Sequence, residues 1–438
     1  MSDFKKQLLE KLDKEDYLLS ESPEINIGER LGWTKKFFNV FPALENKNYR
    51  LYFVGQTVSF IGNWIQIVAQ GWLVWDLTKS ALALGIIGAV GSLPIMLFSL
   101  WGGVIVDKFS KRKILVLTQS AMMLLAFILG LLVIYHLVNV WIIAILAFLL
   151  GAVNALDAPA RQAFTIEMVN KESDLPSAIA LTAGIFNGAR IIGPSIAGFL
   201  IATVGVGWAF MANGISFAAV IVALLLMKIK EISNEMHPNP FGAIKEGISY
   251  TLKSPIIKNL LIFTGIVSVF GWSYTTILPL IAQNVFHLGA AGLGYLYTAA
   301  GVGAFLGIII VSAFSKKFNH FIFIFGGNTV FTAGIILFTF ASNFIIALFF
   351  LALAGAGLVS QFSMINAAIQ KSVAQNYRGR VMSLYTLMFL GLSPLGSFQV
   401  GFFTEHFGPE FAIRLGAIIS FCFAIIIFQN QKKWREKS

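Results

Sequence analysis

Five amide and hydroxyl side chains, Gln56, Ser59, Asn63, Gln66 and Gln70, recur at three- and four-residue spacing through an otherwise apolar stretch. At about 100° per helical residue they share an arc of about 80°. Such a stripe serves binding rather than bond breaking, because its neutral groups donate and accept hydrogen bonds to a ligand or to a neighbouring helix. The spacing returns with Asn154, Asp157 and Arg161, and again with Ser363, Asn366 and Gln370, while Trp272, Ser273, Tyr274 and Thr276 supply aromatic and hydroxyl surface. Together they describe either the wall of a large, mostly neutral cavity suited to a bulky amphipathic ligand or polar glue between helices. Arg190 is the one charge deep inside an apolar run, where charge is costly and usually functional. It meets either an anionic ligand or a backbone carbonyl. Asp157 is either a proton-titrating group or the ion-pair partner of Arg161.

Other chemistries lack their residues. The five His at 136, 237, 287, 320 and 406 have no metal-ligand spacing, and the single Cys422 has no partner in the chain, so no metal, cofactor or disulfide framework is expected. No glycine-lysine phosphate loop is present, which argues against ATP as the energy source and against enzymatic activity. The net charge of +11 would suggest nucleic acid in a soluble protein. Its distribution argues for a lipid bilayer instead, with no nucleic acid partner.

The elements that must position these residues follow from composition. The chain is 57% hydrophobic and 12% charged, with 40 Gly and 41 Phe in 438 residues. Apolar runs of about 20 residues, enough to cross about 30 Å of hydrocarbon, fall near 51–75, 81–106, 114–135, 140–160, 176–203, 208–228, 259–283, 292–313, 321–340, 344–368, 380–403 and 411–429. Each must be helical, since lipid satisfies no backbone polar group. Loops bearing Lys108, Lys111, Arg112 and Lys113, then Arg161 and Lys171, Lys316 and Lys317, and Lys371, Arg378 and Arg380 fall on one side, and the loops around 136–139, 204–207 and 341–343 hold no Lys or Arg. Basic loops stay in the cytoplasm, so both termini are expected there. Phe53-x-Gly55-x4-Phe60 is echoed by Phe263-x-Gly265-x4-Phe270, and Phe109-Ser110-Lys111-Arg112 by Phe314-Ser315-Lys316-Lys317. The expectation is an all-α membrane protein of twelve transmembrane helices in two pseudo-symmetric six-helix bundles. Residues 1–50 would form a cytoplasmic segment with an interfacial helix, 51–228 the first bundle, 229–258 a cytoplasmic linker, 259–429 the second bundle and 430–438 a basic tail.

The loop Gly103-Val-Ile-Val-Asp107-Lys108-Phe-Ser110-Lys111-Arg112 resembles the signature of the major facilitator superfamily. Asn154-Ala-Leu-Asp157-Ala-Pro159-Ala-Arg161-Gln162, Asn187-Gly-Ala-Arg190-Ile-Ile-Gly193-Pro194-x-x-Ala197-Gly198 and Arg378-Gly379-Arg380-Val-Met-Ser look like its branch containing the enterobactin exporter and macrolide efflux proteins. So do Asn48-Tyr49-Arg50-Leu-Tyr and Gly71-Trp72-Leu73. The resemblance implies a secondary active transporter in the inner membrane of a bacterium, with a cavity lined by helices one, four, seven and ten. It implies a cytoplasmic gate in which Asp107 latches to Arg378 and Arg380; the alternative is a solvated basic loop that only sets topology. It relates Gly193, Pro194 and Gly198 to an efflux motif, against a packing motif with no directional meaning. The expected activity is export of a drug-like or siderophore-like molecule by alternating access, with protons as the coupling ion. Ala147 stands where many proton-coupled exporters carry a helix-four arginine, which counts against coupling by that route. The competing readings are a lysophospholipid or other lipid flippase and a non-transporting membrane receptor or scaffold.

Overall fold

The computed structural model describes residues 41–169, 172–228, 240–315 and 317–435. Residues 1–40 of the expected cytoplasmic segment, with most of its interfacial helix, lie outside them. Twelve long helical segments follow one another: α1 Lys47–Thr78, α2 Ala81–Lys108, α3 Lys111–Ile134, α4 Val140–Glu167, α5 Leu175–Thr203 and α6 Val206–Leu226. After a linker helix, Pro240–Lys253, come α7 Pro255–Asn284, α8 Gly289–Phe314, α9 His320–Phe338, α10 Phe344–Ser372, α11 Gln375–Phe407 and α12 Pro409–Arg435.

Eleven segments among the described residues are long and apolar enough to cross a membrane, and α1 is the long helix missing from that set. Its polar stripe lowers its hydropathy, and the bundle absorbs the cost by burying Gln56, Ser59 and Gln66. Several helices outrun their apolar windows at the basic end of the molecule, where α4 continues to Glu167 and α10 to Ser372. Backbone polar groups there can turn to water, so apolarity no longer marks the end of the helix.

Short polar caps start these helices. Asn46, Ser80, Ser110, Asn139, Asn319 and Asn343 each accept a hydrogen bond from a first-turn amide, satisfying donors that the helix leaves free. The halves repeat each other in detail. Asn139 caps α4 and Asn343 caps α10. The α5–α6 hairpin turns on Gly205 at φ +95° and the α11–α12 hairpin on Gly408 at φ +87°, a conformation a side chain would strain.

Within the first half α1 packs on α5 and α6, α3 on α4 and α6, and α2 on α4; within the second, α10 packs on α8 and α9, and α12 on α9. Two seams join the halves, α5 against α8 and α2 against α11. Leu117, Trp141, Ile145, Ile215 and Ile345 are more than half exposed, the apolar exterior a bilayer would cover.

Candidate functional site

Both interruptions in the second bundle fall midway along their helices. A π turn over Val267–Gly271 and a 3-10 turn over Trp272–Ile277 break α7, and a π turn over Leu387–Gly391 breaks α11. The breaks are tied together, since Ser268 Oγ donates to the Phe389 carbonyl at 2.7 Å. They bring Trp272 edge-on to Phe389 at 5.7 Å between centroids, with Phe362 4.6 Å from Phe389. Such bulges commonly mark functional positions because they re-aim side chains.

Across the seam from this aromatic wall lies Arg190, 6% exposed. Its guanidinium carbon stands 5.1 Å from the Trp272 ring centroid and 5.8 Å from that of Trp64, so one indole comes from each bundle. Among the described residues no carboxylate pairs with it. A mid-membrane arginine costs about 2.5–3.5 kcal/mol even on insertion scales, and two cation–π contacts offset only part of that. Four residues on, Pro194 lacks the amide that would bond the Arg190 carbonyl. That carbonyl abuts Gly301 of α8, where a Cβ would stand 2.8 Å from it. Thr298 Oγ1 donates to the Ile191 carbonyl at 3.0 Å and meets Ser195 Oγ at 2.7 Å, closing the seam beside the proline.

The Gly193-Pro194-x-x-Ala197-Gly198 element therefore lies on contacts of α5 with both bundles. Gly193 faces Trp64 and Ile61 of α1, and Gly198 faces Ala290 and Gly294 of α8. The second seam is as tight: a Cβ on Gly401 would stand 2.7 Å from the Ala81 carbonyl. Glu405 Oε2 crosses it, accepting from Ser80 Oγ and the Leu82 amide at 3.1 Å each. These close approaches lie toward the end opposite the basic loops. Toward the basic end, Gly184 and Gly188 of α5 have no neighbour within 4 Å of where a Cβ would sit.

A charge cluster occupies the first bundle. Asp157 is fully buried; its Oδ1 accepts from Thr118 Oγ1 and Gln119 Nε2 at 2.8 Å each, and its Oδ2 pairs with Arg161 one turn on. The Arg161 guanidinium also lies 5.0 Å over the Phe60 ring. Of the two readings of Asp157, the structure shows the ion pair with Arg161.

Other expected residues are distributed differently. Gln66 accepts from Asn213 of α6, deep in the first bundle, and Gln56 is buried with its Nε2 unpartnered among the described residues. Asn154 bonds back to the Leu150 carbonyl of its own helix, and Asn366 accepts from Gln370. Asn63, Gln70 and Ser363 are half-buried, and Tyr274 is buried with its hydroxyl unpartnered. At the expected gate, Lys111 is buried against Glu167 at 3.1 Å, and Arg112 donates to the Leu224 and Leu225 carbonyls, so both serve the first bundle internally. Arg380 pairs with Glu246 of the linker helix, and Arg378 is exposed. Gly103 lies within α2, and the side chain of Asp107 lies outside what the structure describes. Trp64, Phe362, Phe389 and Glu405 were not expected. Trp64 adjoins Asn63 of the polar stripe, the one local signal; the others depend on contacts between distant helices.

Twelve helices in two repeated six-helix bundles, meeting along two glycine-lined seams, define a membrane transporter of the major facilitator fold. The chain belongs to the transmembrane secretion effector family, which it matches over residues 39–437. It is similar to the staphyloferrin A transporter of Staphylococcus aureus, 26% identical over 89% of this chain and 97% of that one. It also resembles macrolide efflux protein A of Streptococcus pyogenes, 22% identical over 90% and 95% of the two chains. Among solved structures, a bacterial homologue of the human lysosomal transporter Spinster, inward-facing and unoccupied, superposes with a TM-score of 0.70 at 14% identity over 89% of this chain and 97% of that one. The fold and superfamily expected from the signature loop are those found.

Proposed function

We propose that this transporter exports a small amphipathic molecule, drug-like or siderophore-like, across the bacterial cytoplasmic membrane by alternating access. The observation that carries the reading is Arg190, held midway along α5 between an indole of each bundle, with the closest approaches of the bundles among the described residues lying to one side of it. A group touching both halves at the seam changes its surroundings when the halves rock, as a translocation site must. In this reading the basic loops face the cytoplasm, which puts the open end and both termini on that side. The site then loads from the compartment an exporter empties. A siderophore transporter and a macrolide efflux protein among the relatives support the range of substrates.

Asp157, the buried acid of α4, is the coupling group in this reading, with Arg161 its counter-charge and protons the coupled ion. When the cytoplasmic end closes, the α2 loop carrying Asp107 approaches the start of α11 at Arg378 and Arg380, releasing Glu246. Everted membrane vesicles with an imposed proton gradient test the proposal against a broad panel of siderophores and drugs. Saturable accumulation of at least one compound, abolished by a protonophore, is expected. Accumulation of none would end the export reading.

A further inference from the structure

Two buried side chains near the seam lack an ion-pair or hydrogen-bond partner among the described residues. The Arg190 guanidinium has no carboxylate, and the Tyr274 hydroxyl, on a residue 2% exposed, has no hydrogen bond. Buried groups of this kind are rare enough that each calls for an explanation. Tyr274 follows Trp272 by two residues in the same 3-10 turn, which places it at the α7 break that Arg190 meets through the Trp272 ring. Flat, apolar rings stand beside Arg190: Trp64, Trp272 and, behind Trp272, Phe362 and Phe389. Tyr297 of α8 is already committed, since its hydroxyl donates to the Thr275 carbonyl at 2.8 Å.

A planar guanidinium bonds a carboxylate with two parallel hydrogen bonds, and a phenol supplies a third donor to the same oxygens. Indole faces favour an apolar, preferably aromatic, body beside the acid. A cationic ligand would meet Arg190 with like-charge repulsion in a region of low dielectric. The contrast with the other buried arginine is direct. Arg161 carries its counter-ion within the protein at Asp157, on the next turn of its own helix. Among the described residues, Arg190 has no such counter-ion.

Resting on the transport reading above, we infer that Arg190 and Tyr274 form a carboxylate-binding site, and that the exported molecules are organic anions bearing a carboxylate on an apolar body. The unpaired cation is then neutralised only when cargo is bound. Because Trp64 belongs to the first bundle and Trp272 to the second, the bound anion bridges the halves.

Equilibrium dialysis of the purified protein in detergent tests this with 2-naphthoate and its neutral isostere 2-naphthamide. Saturable binding of naphthoate is expected, with the amide roughly 10- to 100-fold weaker, the range for charge-assisted hydrogen bonds. Arg190→Gln, checked as a monodisperse peak by gel filtration, should weaken naphthoate to the level of the amide. Arg190→Lys should keep part of the preference, and Tyr274→Phe should weaken naphthoate several-fold and narrow the acid-to-amide ratio. Equal binding of acid and amide by the wild-type protein would overturn the proposal. So would undiminished naphthoate binding by folded Arg190→Gln, or no saturable naphthoate binding by monodisperse wild-type protein. If Arg190→Gln does not stay monodisperse, the wild-type acid-to-amide ratio and the Tyr274→Phe variant decide. Selective anion binding without transport in vesicles would sink the export reading alone; transport indifferent to Arg190→Gln would sink the anion site alone.

Discussion

The two buried arginines show how much one turn of helix decides. Arg161 lies at i+4 from Asp157, so its counter-ion is built into the sequence and the pair satisfies itself within α4. Thr118 and Gln119 complete the carboxylate, which removes most of the penalty of taking both charges from water. Asp157→Asn would strand Arg161 and should destabilise the first bundle by about 3–5 kcal/mol, read as a lower aggregation temperature in detergent. Adding Arg161→Gln should recover most of the loss, because the pair is removed together; a double variant as weak as the single would show that the charges do not depend on each other. The i, i+4 spacing made this pair legible in the sequence. The polar stripe on α1 was legible as a stripe but not in its division of labour. Gln66 bonds Asn213 of α6 while Asn63 and Gln70 remain half-buried, and only the packing of α6 on α1 distinguishes them.

At the scale of elements, apolar runs located the helices because a bilayer leaves the backbone no alternative. Their ends were less legible, since a helix can continue once its carbonyls reach water, as α4 and α10 do. The interruptions at Val267–Ile277 and Leu387–Gly391 hold Gly271 and Gly391 but no proline, and a lone glycine in an apolar run reads equally as packing; the pairing of Ser268 with Phe389 depends on helices far apart in the chain. The seams depend on glycine instead. Gly401 meets Ala81 and Gly85 backbone atoms directly, so Gly401→Leu should wedge α11 from α2 at the sealed end. With Cys422→Ser to remove the native thiol, spin labels at Val204 and Phe407, exposed at that end of opposite bundles, report the change. A longer distance in Gly401→Leu than in its parent is expected. An unchanged distance would mean that the seam does not hold that end closed.

For the whole molecule, basic-loop asymmetry and the repeated halves were visible in the sequence because they are sums over many residues. Which end is sealed was not, since it depends on contacts such as Glu405 to Ser80 between residues in different bundles. The same limit hid the surroundings of Arg190, whose indole neighbours come from α1 and α7. If transport requires the sealed end to open, holding Ser80 and Glu405 together must stop it. The direct measurement uses the Ser80→Cys, Glu405→Cys, Cys422→Ser protein in everted vesicles, bridged by a short bis-methanethiosulfonate cross-linker. Uptake of a compound carried by the unbridged protein should fall to background when the bridge forms and return on reduction with dithiothreitol. Uptake continuing at the unbridged rate with the bridge intact would contradict alternating access between these two bundles.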